Sequence, residues 1–434
     1  MGLTKPQNVA VVASAAMRRC FVTVLLWLAG CSRPPPPVDP IVDSGTPTGP
    51  SYHSFVRGFL EARCVVCHTP GGHGPFSLEA WADVAPLAPQ LVDAVETLRM
   101  PPHAPRDGCR AVMSSAVVPV ADIALLKQWR EGGFREGDAA DYAGPEPLGF
   151  QPQVPVGAPT MVITSPDAFA PPLGPDVSNE VIISGAFTVD TWVLATDLRP
   201  VGNLEVVHHS NAFLDLQGLP PSGVPGPTAI IGSYAPGYEA LVMPPESALF
   251  VPAGAGVKLF VHYSTIGVTD GGVPAGRIEL RLWTLPAGQR PRYQAFMDAI
   301  SQSDLLVPAL APRVEVKGER ELRYPGSLIA GVFPHMHLLG TAFESNVLHA
   351  DGGVSCLVDM PNYDFLHQSL ILFTPEARLP ALDGDLHRMT CVYDNSAEHQ
   401  PLVGGVPKTS VDVIWGDAST DEMCTDGLLR IVPL

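Results

Sequence analysis

Short apolar runs separated by turn residues fill most of this chain, and helical spacing shows only near its start. Ile123, Leu126 and Trp129 recur on one helical face of Ala121 to Arg130, and Gly132-Gly133 supply a C-terminal stop. Gln90 to Leu98 reads as another helix. After a Pro- and Gly-rich linker over 138–160, β-prone runs recur between turns: Val181 to Ile183, Thr191 to Leu194, Leu204 to Val207, Val257 to Val261 and Arg277 to Trp283. Further runs follow at Gly326 to Val332, Ser345 to Leu348, Ser369 to Phe373 and Arg388 to Tyr393. The pattern predicts a mainly β fold: two antiparallel β-sandwiches over 158–290 and 291–434, preceded by a small α-helical domain over 51–145.

Composition agrees with that division. The 434 residues suffice for two or three domains, and 47 Pro with 41 Gly suit a turn-rich β protein better than a helical bundle. The chain carries 26 basic and 44 acidic residues, a formal charge of -18. That balance argues against nucleic acid or an anionic membrane surface as a partner.

Residues 1–30 carry a different signal. Arg18-Arg19 precede an apolar run from Cys20 to Ala29, ending in Leu28-Ala29-Gly30-Cys31. A basic region, a short apolar core and small terminal residues make a secretory signal, and the run is too short to span a bilayer. The Leu-Ala-Gly-Cys ending resembles the bacterial lipobox, in which the Cys becomes lipid-modified. Cys31 is therefore the expected anchor of an exported lipoprotein on the periplasmic face or cell surface, and Ser32 is compatible with outer-membrane sorting. Residues 31–50, with Pro34 to Pro37, read as a semi-extended tether. Export also places Cys109, Cys356, Cys391 and Cys424 where disulfides persist.

Two kinds of redox chemistry can be read from the motifs. Cys64-Val65-Val66-Cys67-His68 is the c-type haem attachment pattern, in which both thiols bond the haem and His68 becomes the proximal iron ligand. A zinc knuckle would want a second Cys or His pair, which is not obvious here, and a redox Cys-x-x-Cys is the other alternative. Met100, before Pro101-Pro102, is the candidate sixth iron ligand and resembles the distal loop of small class I cytochromes c; His73, His103 and Met113 are rivals. Met243-Pro244-Pro245 shows that Met-Pro-Pro alone is a weak signal.

The second chemistry centres on His335-Met336-His337. In an extended chain, residues i and i+2 share a face, so both imidazoles can reach one metal while Met336 points into the core. His208-His209 end the run from Leu204, and His262 ends the run Val257 to Val261. Neighbouring strand residues face opposite ways, so His208 and His209 can share a metal only at a bulge or strand end. Three imidazoles suit copper or zinc, whereas two imidazoles plus the Met423 thioether select a soft redox metal, above all copper. Taken singly, each of these residues is more often an ordinary polar or core residue.

Taken together, His208-His209, His262-Tyr263, His335-x-His337 and Asp421-Glu422-Met423-Cys424 occur in an order that resembles the copper type II, ascorbate-dependent monooxygenases over about residues 160–434. These are the enzymes of the peptidylglycine α-hydroxylating and dopamine β-monooxygenase type. The resemblance implies two jelly-roll sandwiches, each holding one copper ion, facing across a solvent gap. His208, His209 and His262 would form an electron-storing copper site. His335, His337 and Met423 would form the catalytic copper site, where O2 and the substrate react. It further implies a Cys391–Cys424 disulfide that fixes Met423. Cys109 and Cys356 have no counterpart and either pair across domains or stay free.

The arrangement also resembles exported bacterial proteins with a cytochrome c module ahead of such a copper pair, on Pro75 to Leu78, Met100 to Pro102 and Cys391 to Ser396. The implied function is a dicopper monooxygenase hydroxylating a C–H bond with O2, its electrons supplied by a periplasmic donor through one haem c and/or by ascorbate. Phe333 stands where peptide-amidating members have Arg, and Thr425 and Gly427 where they have Asn and Tyr. The clamp for a peptide carboxylate is thus missing, which implies a small or non-peptide substrate. The rival reading is a copper- and haem-binding electron-transfer lipoprotein without turnover.

Overall fold

The structure, a computed structural model, describes residues 49–434 apart from 71–73, 115, 149–153, 175–176, 218–229, 235–239, 264, 266–271, 404–405 and 417. The signal segment, Cys31 and almost all of the tether lie outside the described residues, as does His73. Among the described residues no helix is long and apolar enough to cross a membrane.

The protein is mainly β with few helices, and the helices gather at the start. A helical rod runs from Tyr52 to Arg63, opened by Ser51, whose hydroxyl accepts the Ser54 N–H. Ala88–Glu96 and Val120–Glu131 pack beside it around Phe59, Leu60, Val92, Leu126 and Trp129. The spacing of Leu126 and Trp129 buries both completely, with Ile123 partly buried at the rim. Buried Arg63 ties the rod to Val120–Glu131 through Asp122 at 3.5 Å and to the chain beyond these helices through Glu146 at 2.8 Å.

The two β halves share one sheet. In spatial order this ten-stranded sheet contains Met161–Thr164, Arg277–Thr284, Thr191–Val201, Ser247–Val251, Tyr293–Ser301, Thr425–Pro433, Leu328–His335 and Ile371–Leu372, with two short strands at its sides. The seam is a parallel pairing of Ser247–Val251 with Tyr293–Ser301. Each half adds a four-stranded sheet of its own. Val177–Ile183, Gly256–Tyr263, Val207–Asp215 and Ile230–Tyr234 form the first; Val314–Glu321, Leu386–Tyr393, Gly340–Leu348 and Val354–Met360 form the second. Both small sheets are antiparallel.

Strand alternation explains the layering. Along Gly256–Tyr263, Val257, Leu259, Val261 and Tyr263 point into one core, which leaves Lys258, Phe260 and His262 on the opposite face. One sequence expectation is corrected here. Leu204–Val206 is a short 3-10 turn, and the strand begins at Val207, so His208 and His209 open a strand rather than end one. Leu-Glu-Val is β-prone in isolation, but the chain is still turning there after Asn203, whose φ of -144° and ψ of 38° lie off the strand region.

The helical region is laced to the second half. Cys109 and Cys356 form a disulfide, which settles the alternatives left by the sequence. Arg106 pairs with Asp359 at 2.8 Å, its N–H donates to the Asp359 carbonyl, and the Met113 N–H donates to Leu372.

Candidate metal centres

The pair His335 and His337 closes the strand Leu328–His335, with ring centroids 5.1 Å apart and planes 87° from parallel. Met336 between them is fully buried in the second core. The Gly340 Cα lies so close to Met336 that a Cβ there would stand 2.9 Å from its side chain, so the turn closing the site needs glycine.

The hydrogen bonds around the two rings fix their tautomers. The Gln368 amide nitrogen donates to the Phe365 carbonyl, which leaves its Oε1 to accept from His335 Nδ1 at 2.5 Å. His337 Nδ1 donates to the Asp421 carbonyl at 3.2 Å. Both Nδ1 atoms therefore carry the proton, and both Nε2 atoms keep a lone pair, the arrangement of metal-ligating histidines. Burial keeps both rings neutral. It lowers His335, and it takes His337 down to about 3 with a further push from His335.

Met423 comes from the other side of the same ladder. His335 pairs with Thr425 at the last rung of that ladder, and Met423 lies two residues before Thr425. Glu422 makes the junction firm: its Oε2 accepts the N–H groups of His337 at 2.8 Å and Met423 at 3.3 Å, and its Oε1 that of Leu339 at 2.7 Å. Glu422 is fully buried; burial pushes its carboxyl up to about 8, and the three N–H donors pull against that shift. The Cys391–Cys424 disulfide is present, and Tyr393 donates to the Met423 carbonyl at 2.8 Å.

The other histidine set lies on the outer face of the first small sheet. His209 and His262 are direct cross-strand partners, and the register slips between Val207 and His209, so His208 sits in a bulge. The side chain of His208 is outside the described residues. The Nδ1 atoms of His209 and His262 face one another at 3.4 Å. Two imidazoles bound at about 2.0 Å to one ion at a tetrahedral or trigonal angle hold their nitrogens about 3.3–3.5 Å apart, so the spacing fits a shared metal.

Among the described residues, no three His, Cys, Asp or Glu side chains gather closely enough to hold a metal ion by themselves. Each set here has two imidazoles; the further donor would be the Met423 thioether in one and the undescribed His208 ring in the other.

The implied open solvent gap between the sets is not what the described residues form. Phe365, itself buried, packs its ring 6.1 Å from His209 and 5.6 Å from His337, centroid to centroid. The His262 ring is near enough to add a small downward push on His337.

At the haem motif, the rod ends at Arg63 and the chain turns through Cys64 to His68, with the His68 N–H donating to the Cys64 carbonyl at 2.9 Å. Neither Cys64 nor Cys67 is in a disulfide. Burial pushes the Cys64 thiol up to about 12, opposite to the lowered value of a redox Cys-x-x-Cys. His68 Nδ1 donates to the Phe76 carbonyl at 3.1 Å, which leaves the Nε2 lone pair open to a ligand such as iron. A Cβ on Gly74 would lie 2.5 Å from His68 Nδ1, so glycine gives the ring its space. Val66, Phe76 and Met100 expose apolar surface, at 67%, 45% and 41%, that a haem would cover. Of the rivals to Met100, Met113 is buried in the first β core and His103 is buried against Tyr363.

Several of these contributors were missed in the sequence. Glu422 lay inside a recognised motif without a role, and nothing in the pattern singled out Gln368, Tyr363 or Phe365. The positions that depart from the peptide-amidating enzymes lie together: Phe333 pairs with Gly427, and Thr425 pairs with His335.

No family model matches the chain, and no curated protein matches it. Among solved structures, the major capsid protein P2 from bacteriophage PM2 is similar at 11% identity and a TM-score of 0.30, covering 63% of this chain and 98% of that one. A virus particle, infectious bursal disease virus Gx strain, matches at 12% identity and 0.19, covering 67% and 75%. A putative secreted protein from Eubacterium rectale matches at 9% identity and 0.19, covering 60% and 70%. Likenesses this slight carry no argument about this chain.

Proposed function

We propose that this chain is an exported dicopper monooxygenase of the copper type II family, anchored through Cys31, that hydroxylates a C–H bond of a small, uncharged substrate with O2. The observation that carries the reading is that His335 and His337 both keep the Nε2 lone pair, while one Glu422 oxygen accepts the main-chain N–H groups of His337 and Met423 together. Bound copper would supply one-electron storage and O2 chemistry, and a covalently bound haem would relay electrons from a periplasmic donor, with or without ascorbate. His335, His337 and Met423 would hold the catalytic ion, whose cuprous state a thioether favours. His208, His209 and His262 would hold the second ion. Cys64, Cys67 and His68 would hold the haem, with Met100 as its sixth ligand. In this reading each half is a jelly-roll sandwich and residues 51–145 are a cytochrome c domain.

Phe333, Thr425 and Gly427 bring no charge to the metal pair, which supports an uncharged substrate. The Cys109–Cys356 bond and the Arg106–Asp359 pair keep the haem motif's domain on the copper-binding half, which supports an internal electron supply.

The test is O2 consumption by the copper-loaded, haem-containing protein, given a reductant and a panel of uncharged aromatic and aliphatic compounds. Substrate-dependent uptake that Met423→Ala abolishes, with haem content intact, supports the monooxygenase. A second reading, a copper- and haem-binding electron carrier, draws on Phe365 filling the space between the two sets. It gains if copper loads and cycles while none of the panel is oxidised.

A further inference from the structure

The Met336 peptide lies between the two imidazoles, just where its strand runs out. Its main-chain groups are buried and need partners. One side chain satisfies both: the Tyr363 hydroxyl accepts the Met336 N–H at 2.8 Å and donates to the Met336 carbonyl at 2.8 Å. Tyr363 thus takes the place of a neighbouring strand at the point that aims His335 and His337.

Tyr363 is in turn seated by the helical region. His103, almost fully buried, packs its ring against Tyr363 edge-to-face at 5.0 Å, and the Asp364 N–H donates to His103 Nδ1 at 3.4 Å. His103 adopts a φ of +56°, uncommon outside glycine and held only where surroundings impose it. On either side, Asn362 Nδ2 donates to the Thr97 carbonyl at 2.8 Å and the Arg106 N–H to the Asp359 carbonyl at 2.7 Å. The same loop carries Met100.

We propose that Tyr363 is a positioning residue for the His335–His337 metal pair, and that His103 sets it from the loop that also carries Met100. The loop of the haem motif's domain is then a structural part of the metal site in the other half. The metal-binding part of this inference rests on the proposed function; the hydrogen-bonded geometry does not.

The test uses the full chain with Tyr363→Phe, which removes only the hydroxyl, and His103→Phe, which keeps the ring but loses Nδ1. Cupric ion is titrated against a competing chelator, with the two sites followed by electron paramagnetic resonance. Both variants are expected to bind copper about 10- to 100-fold more weakly at His335 and His337, as loss of a ligand-orienting partner does, with the His209–His262 signal and the haem absorbance unchanged. In the copper-free protein, the Met336 amide hydrogen should exchange faster in both variants. Wild-type exchange and affinity in Tyr363→Phe would overturn the proposal, and wild-type values in His103→Phe alone would overturn the part assigned to His103. If even the wild type takes up no copper, the functional reading fails, and Met336 exchange still decides this one.

Discussion

His337 and Met423 are held by one oxygen atom: both main-chain N–H groups donate to Oε2 of Glu422, at 2.8 and 3.3 Å. The relationship joins the end of one strand to the approach of another, and it places an imidazole and a thioether of the proposed copper site on a common mount. In Glu422→Gln, the amide nitrogen must face an N–H donor whichever way it turns. An N–H left buried without its acceptor costs about 1–3 kcal/mol. Denaturant unfolding should show Glu422→Gln less stable by that order, with copper bound more weakly at His335 and His337 than at the other set.

The Cys391–Cys424 disulfide closes a loop with a sequence separation of 33, for which chain-entropy arguments give about 4 kcal/mol. Cys391→Ser with Cys424→Ser should lower stability by a sizeable part of that. It should also broaden the copper signal at the Met423 site, because residue 423 loses a covalent anchor one position away. A change in stability alone, with the copper signal unaltered, would separate the bridge from the metal geometry.

Phe365 touches His209 and His337 together. Phe365→Ala should cost about 3–5 kcal/mol, the usual penalty for emptying a buried aromatic site. It should also shift the signals of both copper sites at once, whereas His209→Ala should remove one and leave the other.

Acid should act through His103. Burial lowers its imidazole from 6.5 to about 4, only partly offset by Asp364. The unfolded chain therefore takes up a proton near pH 6.5 that the folded protein refuses until about pH 4. Stability is lost as pH falls through that window, by roughly 3 kcal/mol for this group. Thermal melts of wild type and His103→Phe from pH 7 down to about pH 4 should show the wild type losing more stability than the variant.

What the sequence made legible was whatever is carried by adjacent or alternating positions. His335-x-His337 needs only the two-residue period of a strand, and Cys64 to His68 needs only contiguity. The bulge at His208 was also inferable, since two neighbouring strand residues cannot otherwise turn to one ion. The fold class followed from short runs between turns. The central sheet common to both halves did not, because its parallel seam joins Ser247–Val251 to Tyr293–Ser301 across the intervening strands. Tyr363, Gln368 and Phe365 were invisible for a related reason: they reach the histidine sets from a loop whose path is fixed by tertiary contacts. Glu422 was visible as a letter in a motif, but its three N–H bonds appear only when the turn after His335 folds against it.

The central claim is that this chain holds two coppers and one haem, and one purified sample of the protein tests it most directly. Elemental analysis with a visible spectrum should give two copper ions and one iron per chain, with the absorbance of a covalently bound c-type haem. A sample without haem absorbance and without stoichiometric copper would contradict the account.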